Sequence, residues 1–184
     1  DAKTKRHATF LFQDKTWDSQ VDNENGNYDY LMGADLDFSN HRVVSELKRW
    51  GEWYLDTTHI DGFRLDAVKH INASFYQDWL YHMRQYTHQE LFTVGEYWHG
   101  DVQKLLQYLT EVNYSLSLFD VPLHYHFYEA SRSFGQYDMS QIFNNTLVQK
   151  ACMNAVTFVD NHDTQPQQGL QSWVLDWFKP LAYA

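Results

Sequence analysis

Three charged side chains, Asp61, Arg64 and Asp66, lie among the apolar residues that open one short stretch. Residues 60–70 read Ile-Asp-Gly-Phe-Arg-Leu-Asp-Ala-Val-Lys-His. The apolar residues predict a buried strand that delivers polar groups at its C-terminal end. Arg64 and Asp66 are two positions apart, so on a strand their side chains point to the same face and can meet. A carboxylate that an arginine keeps ionised is a candidate nucleophile. A structural ion pair at the end of a strand is an equally good interpretation of these residues alone.

Two later apolar runs also end in an acidic residue. Residues 91–94 lead to Glu96, and residues 155–159 lead to Asp163. In glycoside hydrolysis an ionised carboxylate attacks and a second, in a drier place, acts as acid and then base; retention results when the two lie about 5–5.5 Å apart. A third carboxylate can stabilise the positively charged transition state. His162, next to Asp163, can donate a hydrogen bond to a sugar hydroxyl.

Apolar runs alternate with helical patterns along the chain, an order that predicts parallel strands with right-handed crossovers. The patterns predict strands at residues 9–12, 60–65, 91–94, 114–119 and 155–159, and helices at residues 43–54, 74–88, 101–112, 139–148 and 172–184. Acidic residues at the C-terminal ends of successive strands converge at the top of a (β/α)8 barrel. An open doubly wound sheet is less favoured, because no Gly-rich phosphate loop follows a strand. These strands are too few to close a barrel of about 250 residues, so we expect the chain to be part of a longer protein, called the parent enzyme below.

The composition argues against several classes of function. The formal net charge of -10 leaves no basic surface for nucleic-acid phosphates, but it suits a neutral polyol or a divalent cation. No apolar run approaches the roughly 18 residues of a membrane span, and no signal peptide is recognised. The single Cys152 excludes an internal disulfide. Aromatic residues make up 17% of the chain, and some of these rings could stack on sugars, although most are expected to pack in the core.

Residues 13–33 are rich in Asn, Asp, Gly and Tyr and show no sustained period, which predicts a long ordered loop. Four aspartates in and just after this loop, Asp18, Asp29, Asp35 and Asp37, offer the hard oxygen ligands that Ca²⁺ prefers. From composition alone, a solvated loop that uses Asp in its turns is the better interpretation.

Three motifs, in order, resemble the second, third and fourth conserved blocks of the α-amylase family of glycoside hydrolases. They are Asp-Gly-Phe-Arg-Leu-Asp-Ala-Val-Lys-His at 61–70, Val-Gly-Glu-Tyr-Trp at 94–98 and Phe-Val-Asp-Asn-His-Asp at 158–163. Residues 23–32 and 177–183 are similar to the bacterial liquefying members, and the resemblance covers nearly the whole chain. It implies an α/β fold, namely a partial (β/α)8 TIM barrel with about strands 4 to 7.

The resemblance also implies roles for individual residues. Asp66 would be the nucleophile, Glu96 the general acid/base and Asp163 the transition-state stabiliser. The residues implied to orient the nucleophile or bind substrate are Arg64, Lys69, His70, His162 and Trp98. For Lys69 and His70, a solvated helix start is the alternative interpretation.

A calcium site and a domain boundary follow from the same resemblance. Residues 1–38 would belong to a small inserted calcium-binding loop domain, and residues 39–184 to the catalytic barrel. The implied metal ligands are Asp18, Asp29, Asp35, Asp37 and the backbone carbonyl of His70. Asp29 and Asp35 match calcium ligands best, and Asp18 matches a ligand of an adjoining metal cluster. Because Ser39 stands where some relatives carry another Asp, an additional Ca²⁺ or Na⁺ stays an open alternative.

The function implied is retaining endo-hydrolysis of α-1,4-glucosidic bonds in starch or maltooligosaccharides. The parent enzyme would be a monomer, extracellular or alternatively cytoplasmic, with no nucleic-acid or membrane partner. A glucanotransferase or an exo-acting hydrolase of the same family would use the same three carboxylates, and an inactive fragment is a third alternative. A metal-dependent phosphoesterase is a remote one, supported only by His162-Asp163 and His99-Gly-Asp101.

Overall fold

The structure is a computed structural model that describes residues 36–184. Four parallel strands form one sheet in the order β1-β2-β3-β4. Their bounds are β1 Gly62–Leu65, β2 Phe92–Gly95, β3 Ser117–Phe119 and β4 Ala155–Val156. Strands that follow one another in the sequence are neighbours in the sheet, and helices fill the connections between them, as the alternating pattern predicted. The predicted strand at 9–12, the loop at 13–33 and Asp18, Asp29 and Asp35 lie outside the described residues, and the domain boundary after residue 38 stays a prediction.

Three helices form where helical spacing predicted them. They are α1 His41–Thr58, α2 Ala73–Thr87 and α3 Val102–Glu111. Asn40 caps α1 by accepting a hydrogen bond from Arg42 N, and Asp101 caps α3 by accepting one from Gln103 N. The apolar faces of these helices pack on the sheet, in a core that includes Leu80, Leu105 and Leu118.

A further helix, α4 Val121–Arg132, was not predicted, because Asp120-Val-Pro was interpreted as the end of a strand. That tripeptide is a helix start: Asp120 is the N-cap and Pro122 lies in the first turn. Two shorter helices, α5 Leu147–Lys150 and α6 Lys179–Ala182, complete the α-helices of the described region. The remaining helical turns are 3-10 turns at Val68–His70, Met139–Gln141 and Cys152–Asn154.

Two predicted helices are wrong in extent. The helix predicted at 139–148 is divided into the 3-10 turn and α5, because the left-handed backbone of Asn145 (φ 55°) interrupts it. The helix predicted at 172–184 is reduced to α6, because loop contacts occupy the earlier backbone: Ser172 N donates to Thr164 O and Val174 N donates to Asp160 Oδ1. Pro180 lies in the first turn of α6 and does not interrupt it. Within residues 36–184, no helix is both long and apolar enough to cross a bilayer.

Asp120 ties the second half of the sheet to two helices. Its fully buried side chain accepts hydrogen bonds from Leu123 N in α4 (3.1 Å) and from Leu147 N (3.0 Å) and Val148 N (2.7 Å) in α5. Its backbone N–H donates to Val156 O at the end of β4 (2.9 Å). One buried carboxylate therefore accepts hydrogen bonds from the first amides of two helices, which have no partner within their own helix, beside the strand that leads to the predicted site.

We expect Asp120→Ala to lower the free energy of unfolding by about 3 kcal/mol or more, because it leaves three amide groups without their acceptor in a buried place. Urea titration of the parent enzyme measures this. Asp138→Ala is the matched control: Asp138 caps only the exposed turn Met139–Gln141, and its loss should cost about 1 kcal/mol. Equal losses in the two variants would contradict the role given to Asp120.

Candidate active site

The C-terminal ends of β1 and β2 bring the first two predicted carboxylates together. Leu65 pairs with Gly95 in the parallel register, and Glu96 N donates to Leu65 O (2.9 Å) just beyond it. Asp66 and Glu96 each come directly after these paired residues, so they lie side by side at one edge of the sheet. This is the edge at which barrel enzymes bind their substrates.

Arg64 contacts both carboxylates. Its Nη1 donates to Asp66 Oδ1, which confirms the predicted meeting of these two side chains. Its Nη2 donates to Glu96 Oε2 at 3.1 Å, a contact between strands that the sequence did not predict. The planar guanidinium can hold two carboxylates at once because its donors point in fixed, separate directions.

The two carboxylates differ sharply in exposure. The Asp66 side chain is 74% exposed and that of Glu96 is 8% exposed. Burial raises the pKa of Glu96 above its ordinary value of 4.5, and the negative charges of Asp66 and Asp163 raise it further. The hydrogen bond from Ala67 N to Glu96 Oε2 (3.1 Å) and the Arg64 charge lower this pKa, but burial is the largest influence.

Asp163 lies on the loop that follows β4, close enough for its charge to act on Glu96. Asn161 shapes this loop, since its Oδ1 accepts hydrogen bonds from Asp163 N (2.9 Å) and Thr164 N (3.0 Å). His162 Nε2 lies 3.1 Å from Asp163 Oδ2, and the His162 side chain is 72% exposed. The structure therefore brings all three predicted carboxylates to one end of the sheet.

The other predicted substrate residues line the same edge. Lys69 Nζ donates to the carbonyl oxygen of Trp98 (3.2 Å), and His70 ends the 3-10 turn that follows β1. The Trp98 indole donates to the hydroxyl of Tyr125 (3.0 Å). Sequence reasoning missed Tyr125, because it lies on the unpredicted helix α4; the Asp-x-Pro start of that helix was the available signal.

Of the predicted metal ligands, Asp37 and His70 fall within residues 36–184. Asp37 Oδ1 accepts a hydrogen bond from Ser39 N (3.0 Å) in a turn before α1. Among the described residues, no three His, Cys, Asp or Glu side chains are grouped as metal ligands. The calcium site stays a prediction, since most of its proposed ligands precede residue 36.

Comparison with known proteins extends the three-motif resemblance to the whole chain. The family model for the alpha amylase catalytic domain matches residues 6–170. The chain is 61% identical over 182 residues to an alpha-amylase of Geobacillus stearothermophilus, covering 99% of this chain and 33% of that protein. It is 55% identical over 184 residues to an alpha-amylase of Bacillus licheniformis, covering 100% of this chain and 36% of that protein. The chain thus spans about a third of the length of these relatives.

Two further relatives carry more specific names. A glucan 1,4-alpha-maltohexaosidase of Bacillus sp. (strain 707) is 56% identical over 92% of this chain and 33% of its own length. A cytoplasmic alpha-amylase of Escherichia coli is 53% identical over 91% of this chain and 34% of its own length.

The solved structures agree with the sequence relatives. The crystal structure of an Anoxybacillus alpha-amylase superimposes with a TM-score of 0.56 at 28% identity, over 70% of this chain and 28% of that one. Together with the parallel sheet, this similarity confirms the predicted partial TIM barrel. Because the family model covers well over half of the chain, and because three carboxylates meet at the expected edge of the sheet, the chain belongs to the alpha-amylase family and contains part of its catalytic domain.

Proposed function

We propose that the parent enzyme is a retaining endo-hydrolase of α-1,4-glucosidic bonds in starch and maltooligosaccharides. The observation that carries the proposal is the pairing, by one arginine, of an exposed Asp66 with a buried Glu96 whose pKa is raised. This environment suits the two carboxyl groups to different tasks, since one is accessible to attack a sugar and the other tends to keep a proton.

In the first step, Asp66 attacks the anomeric carbon and Glu96 gives its proton to the glycosidic oxygen, so the bond to the leaving sugar breaks as the bond to Asp66 forms. In the second step, ionised Glu96 takes a proton from a water molecule, whose oxygen replaces Asp66 at the same carbon. Asp163 stabilises the positive charge that develops on the sugar in both steps, and His162 binds a sugar hydroxyl.

Arg64 supports the retaining course of this reaction. A single guanidinium that contacts both carboxylates keeps them close together, which favours the separation of about 5–5.5 Å needed for retention over the about 6.5–9.5 Å typical of inversion. Arg64 also orients Asp66 for attack. The sugars of the leaving group would be bound by Trp98, whose indole donates to Tyr125, by Lys69, which contacts the Trp98 carbonyl, and by His70.

We further propose that the parent enzyme binds Ca²⁺ through Asp29, Asp35 and the backbone carbonyl of His70, with Asp18 and Asp37 contributing to the same metal region. Carboxylate and carbonyl oxygens are the donors that this ion prefers. His70 ends the turn that directly follows Asp66 and Ala67, so bound Ca²⁺ would fix the loop domain to the strand that carries the nucleophile.

An exo-acting hydrolase is the second candidate, favoured by the 56% identity to a relative named maltohexaosidase. The same three carboxylates would serve it. The reaction products distinguish the two candidates: an endo-enzyme lowers the viscosity of starch early, with few reducing ends released, whereas an exo-enzyme releases a single short product from the start.

We also propose that the parent enzyme is monomeric and extracellular. Gel filtration tests the first point and fractionation of the producing cells tests the second, for which the name of the Escherichia coli relative makes a cytoplasmic location the alternative.

Removal of either reacting carboxylate should abolish most activity. In the parent enzyme, or in the Geobacillus stearothermophilus alpha-amylase with this chain in place of its matching segment, we expect Glu96→Gln to slow reducing-end release from soluble starch by about 10²–10⁴-fold. Asp66→Asn should be at least as severe, because the amide cannot attack. Asp101→Asn and Glu111→Gln, at the cap and at the last residue of α3, are matched controls, and both should retain wild-type rates. Wild-type rates in Asp66→Asn or Glu96→Gln would refute the assignment.

The raised pKa of Glu96 should also appear in stability. The folded protein binds the Glu96 proton more tightly than the unfolded chain does. The contribution of this proton to stability is therefore complete at a pH below 4.5, the ordinary pKa of the group, and is lost as the pH rises through the pKa of Glu96 in the folded protein. Glu96→Gln cannot ionise. The thermal midpoint of this variant, relative to wild type, should therefore rise between about pH 4 and about pH 8. A difference that stays constant with pH would show that Glu96 titrates normally.

Calcium removal should destabilise the parent enzyme. At free Ca²⁺ one hundred times the dissociation constant, bound ion adds about 2.7 kcal/mol to the stability of the folded state. EGTA should therefore lower the thermal midpoint, and Asp35→Asn should lower it in the presence of Ca²⁺ while weakening the EGTA effect. His70→Ala keeps the backbone carbonyl and should retain the EGTA effect. Insensitivity of the wild type to EGTA would contradict the calcium site.

A further inference from the structure

One buried imidazole closes the loop that carries Asp163. His124, in the first turn of α4, is fully buried. Its Nδ1 lies 2.6 Å from the carbonyl oxygen of Val159, and its Nε2 lies 2.9 Å from Ser172 Oγ. Val159 and Ser172 are the first and last residues of a segment, called the Asp163 loop below, that includes His162 and Asp163. A single side chain from another element thus contacts both ends of this loop.

Further hydrogen bonds join residues within the loop and just after it. Ser172 N donates to Thr164 O (2.9 Å), and Thr164 Oγ1 lies 3.2 Å from Asp160 Oδ1. Val174 N also donates to Asp160 Oδ1 (3.0 Å). Val159, Thr164 and Ser172 are all buried. The contacts of His124 therefore belong to a connected network in the loop that carries the exposed His162 and the half-buried Asp163.

The proton positions on His124 follow from its partners. A carbonyl oxygen can only accept, so Nδ1 carries a proton and donates it to Val159. In the neutral ring Nε2 is then an acceptor for the Ser172 hydroxyl, whose oxygen also lies 2.7 Å from the carbonyl oxygen of Leu170. The hydroxyl has one proton, which can serve only one of these two acceptors at a time. Burial lowers the pKa of His124 and favours this neutral form, although the Val159 carbonyl and the Asp160 charge act in the opposite direction. Two aromatic rings exclude water from the faces of this imidazole. The Phe158 ring is stacked on it with ring centroids 4.9 Å apart, and the Trp98 ring is tilted toward it with ring centroids 5.7 Å apart.

We propose that His124 is a positioning residue for the hydrolytic reaction: it holds the Asp163 loop closed and so keeps Asp163 in register with Glu96. The inference rests on the proposed function in that it takes Asp163 as the group that stabilises the transition state. His124 does not touch substrate. Its effect passes through Val159 and Ser172, and it should appear in kcat more than in KM, because a misplaced Asp163 loses an interaction made mainly in the transition state.

Three variants separate the contacts. His124→Leu removes both polar contacts and keeps an apolar side chain. His124→Asn keeps a side-chain N–H that can reach the Val159 carbonyl but loses the contact with Ser172. Ser172→Ala keeps the first contact and removes the second, together with the hydrogen bond from Ser172 Oγ to the carbonyl oxygen of Leu170 (2.7 Å). Val112→Ala is the control for a general loss of stability, because Val112 is a buried core residue at the C-terminal end of α3 and is distant in sequence from the loop.

Two readouts are measured on the parent enzyme or the Geobacillus stearothermophilus chimera, at a temperature at which every variant is folded. We expect kcat for His124→Leu to fall about tenfold, the equivalent of two neutral hydrogen bonds, with KM within about twofold of wild type. His124→Asn and Ser172→Ala should each fall between this variant and wild type, and Val112→Ala should keep the wild-type kcat. Hydrogen exchange of the amides at 161–174 should accelerate about tenfold in His124→Leu and stay unchanged in Val112→Ala.

The two readouts distinguish the ways in which the account could be wrong. If the proposed function is wrong, the wild-type enzyme will not cleave α-glucans. The hydrogen-exchange measurement would still test the role of His124 in that case. Unchanged exchange at 161–174 in His124→Leu, or equal loss of kcat in His124→Leu and Val112→Ala, would overturn the positioning role.

Discussion

The site depends on one guanidinium shared by two unlike carboxyl groups. Arg64 reaches Asp66 on its own strand and Glu96 on the next, and the two acids differ in exposure by a wide margin. Without the arginine, two carboxylates at neighbouring strand ends would repel each other, and the buried one would have no compensating charge. With it, the exposed group has a cationic partner, and the buried one still has its pKa raised by desolvation. The division of labour between nucleophile and acid follows from this asymmetry.

The backbone holds this arrangement in place. The parallel register sets Asp66 beside Glu96, and Ala67 adopts a left-handed conformation (φ 45°) from which its N–H donates to Glu96. A non-glycine residue in that conformation is strained, and such strain persists where the surrounding structure enforces it. On the other side of the site, Asp120 joins β4 to α4 and α5, and His124 on α4 contacts the loop that carries Asp163. The three carboxylates therefore belong to separate strand ends: Asp66 and Glu96 are joined through Arg64 and the strand register, and the loop that carries Asp163 is held by contacts of its own.

Much of this site could be predicted from local patterns. The two-residue spacing of Arg64 and Asp66 predicted their contact, and the alternation of strands and helices predicted the edge at which Glu96 and Asp163 meet them. What the sequence could not show was contact between distant segments: Arg64 with Glu96, Tyr125 with Trp98, and His124 with Val159 and Ser172. The helix α4 was missed although its Asp-x-Pro start is a local signal. The helix predicted at 172–184 is mostly loop, because backbone amides in its first part donate hydrogen bonds to distant residues.

The most direct test of the account is to identify the residue that becomes covalently bound to sugar. The probe is an α-glucosyl fluoride that carries a second fluorine on the sugar ring. Its anomeric fluoride leaves without help from an acid, and the second fluorine slows hydrolysis of the covalent intermediate, which therefore accumulates. With Glu96→Gln parent enzyme, proteolysis and mass spectrometry should place the sugar on the peptide that contains Asp66. Attachment of the sugar to another carboxylate would contradict the roles assigned to all three acidic residues.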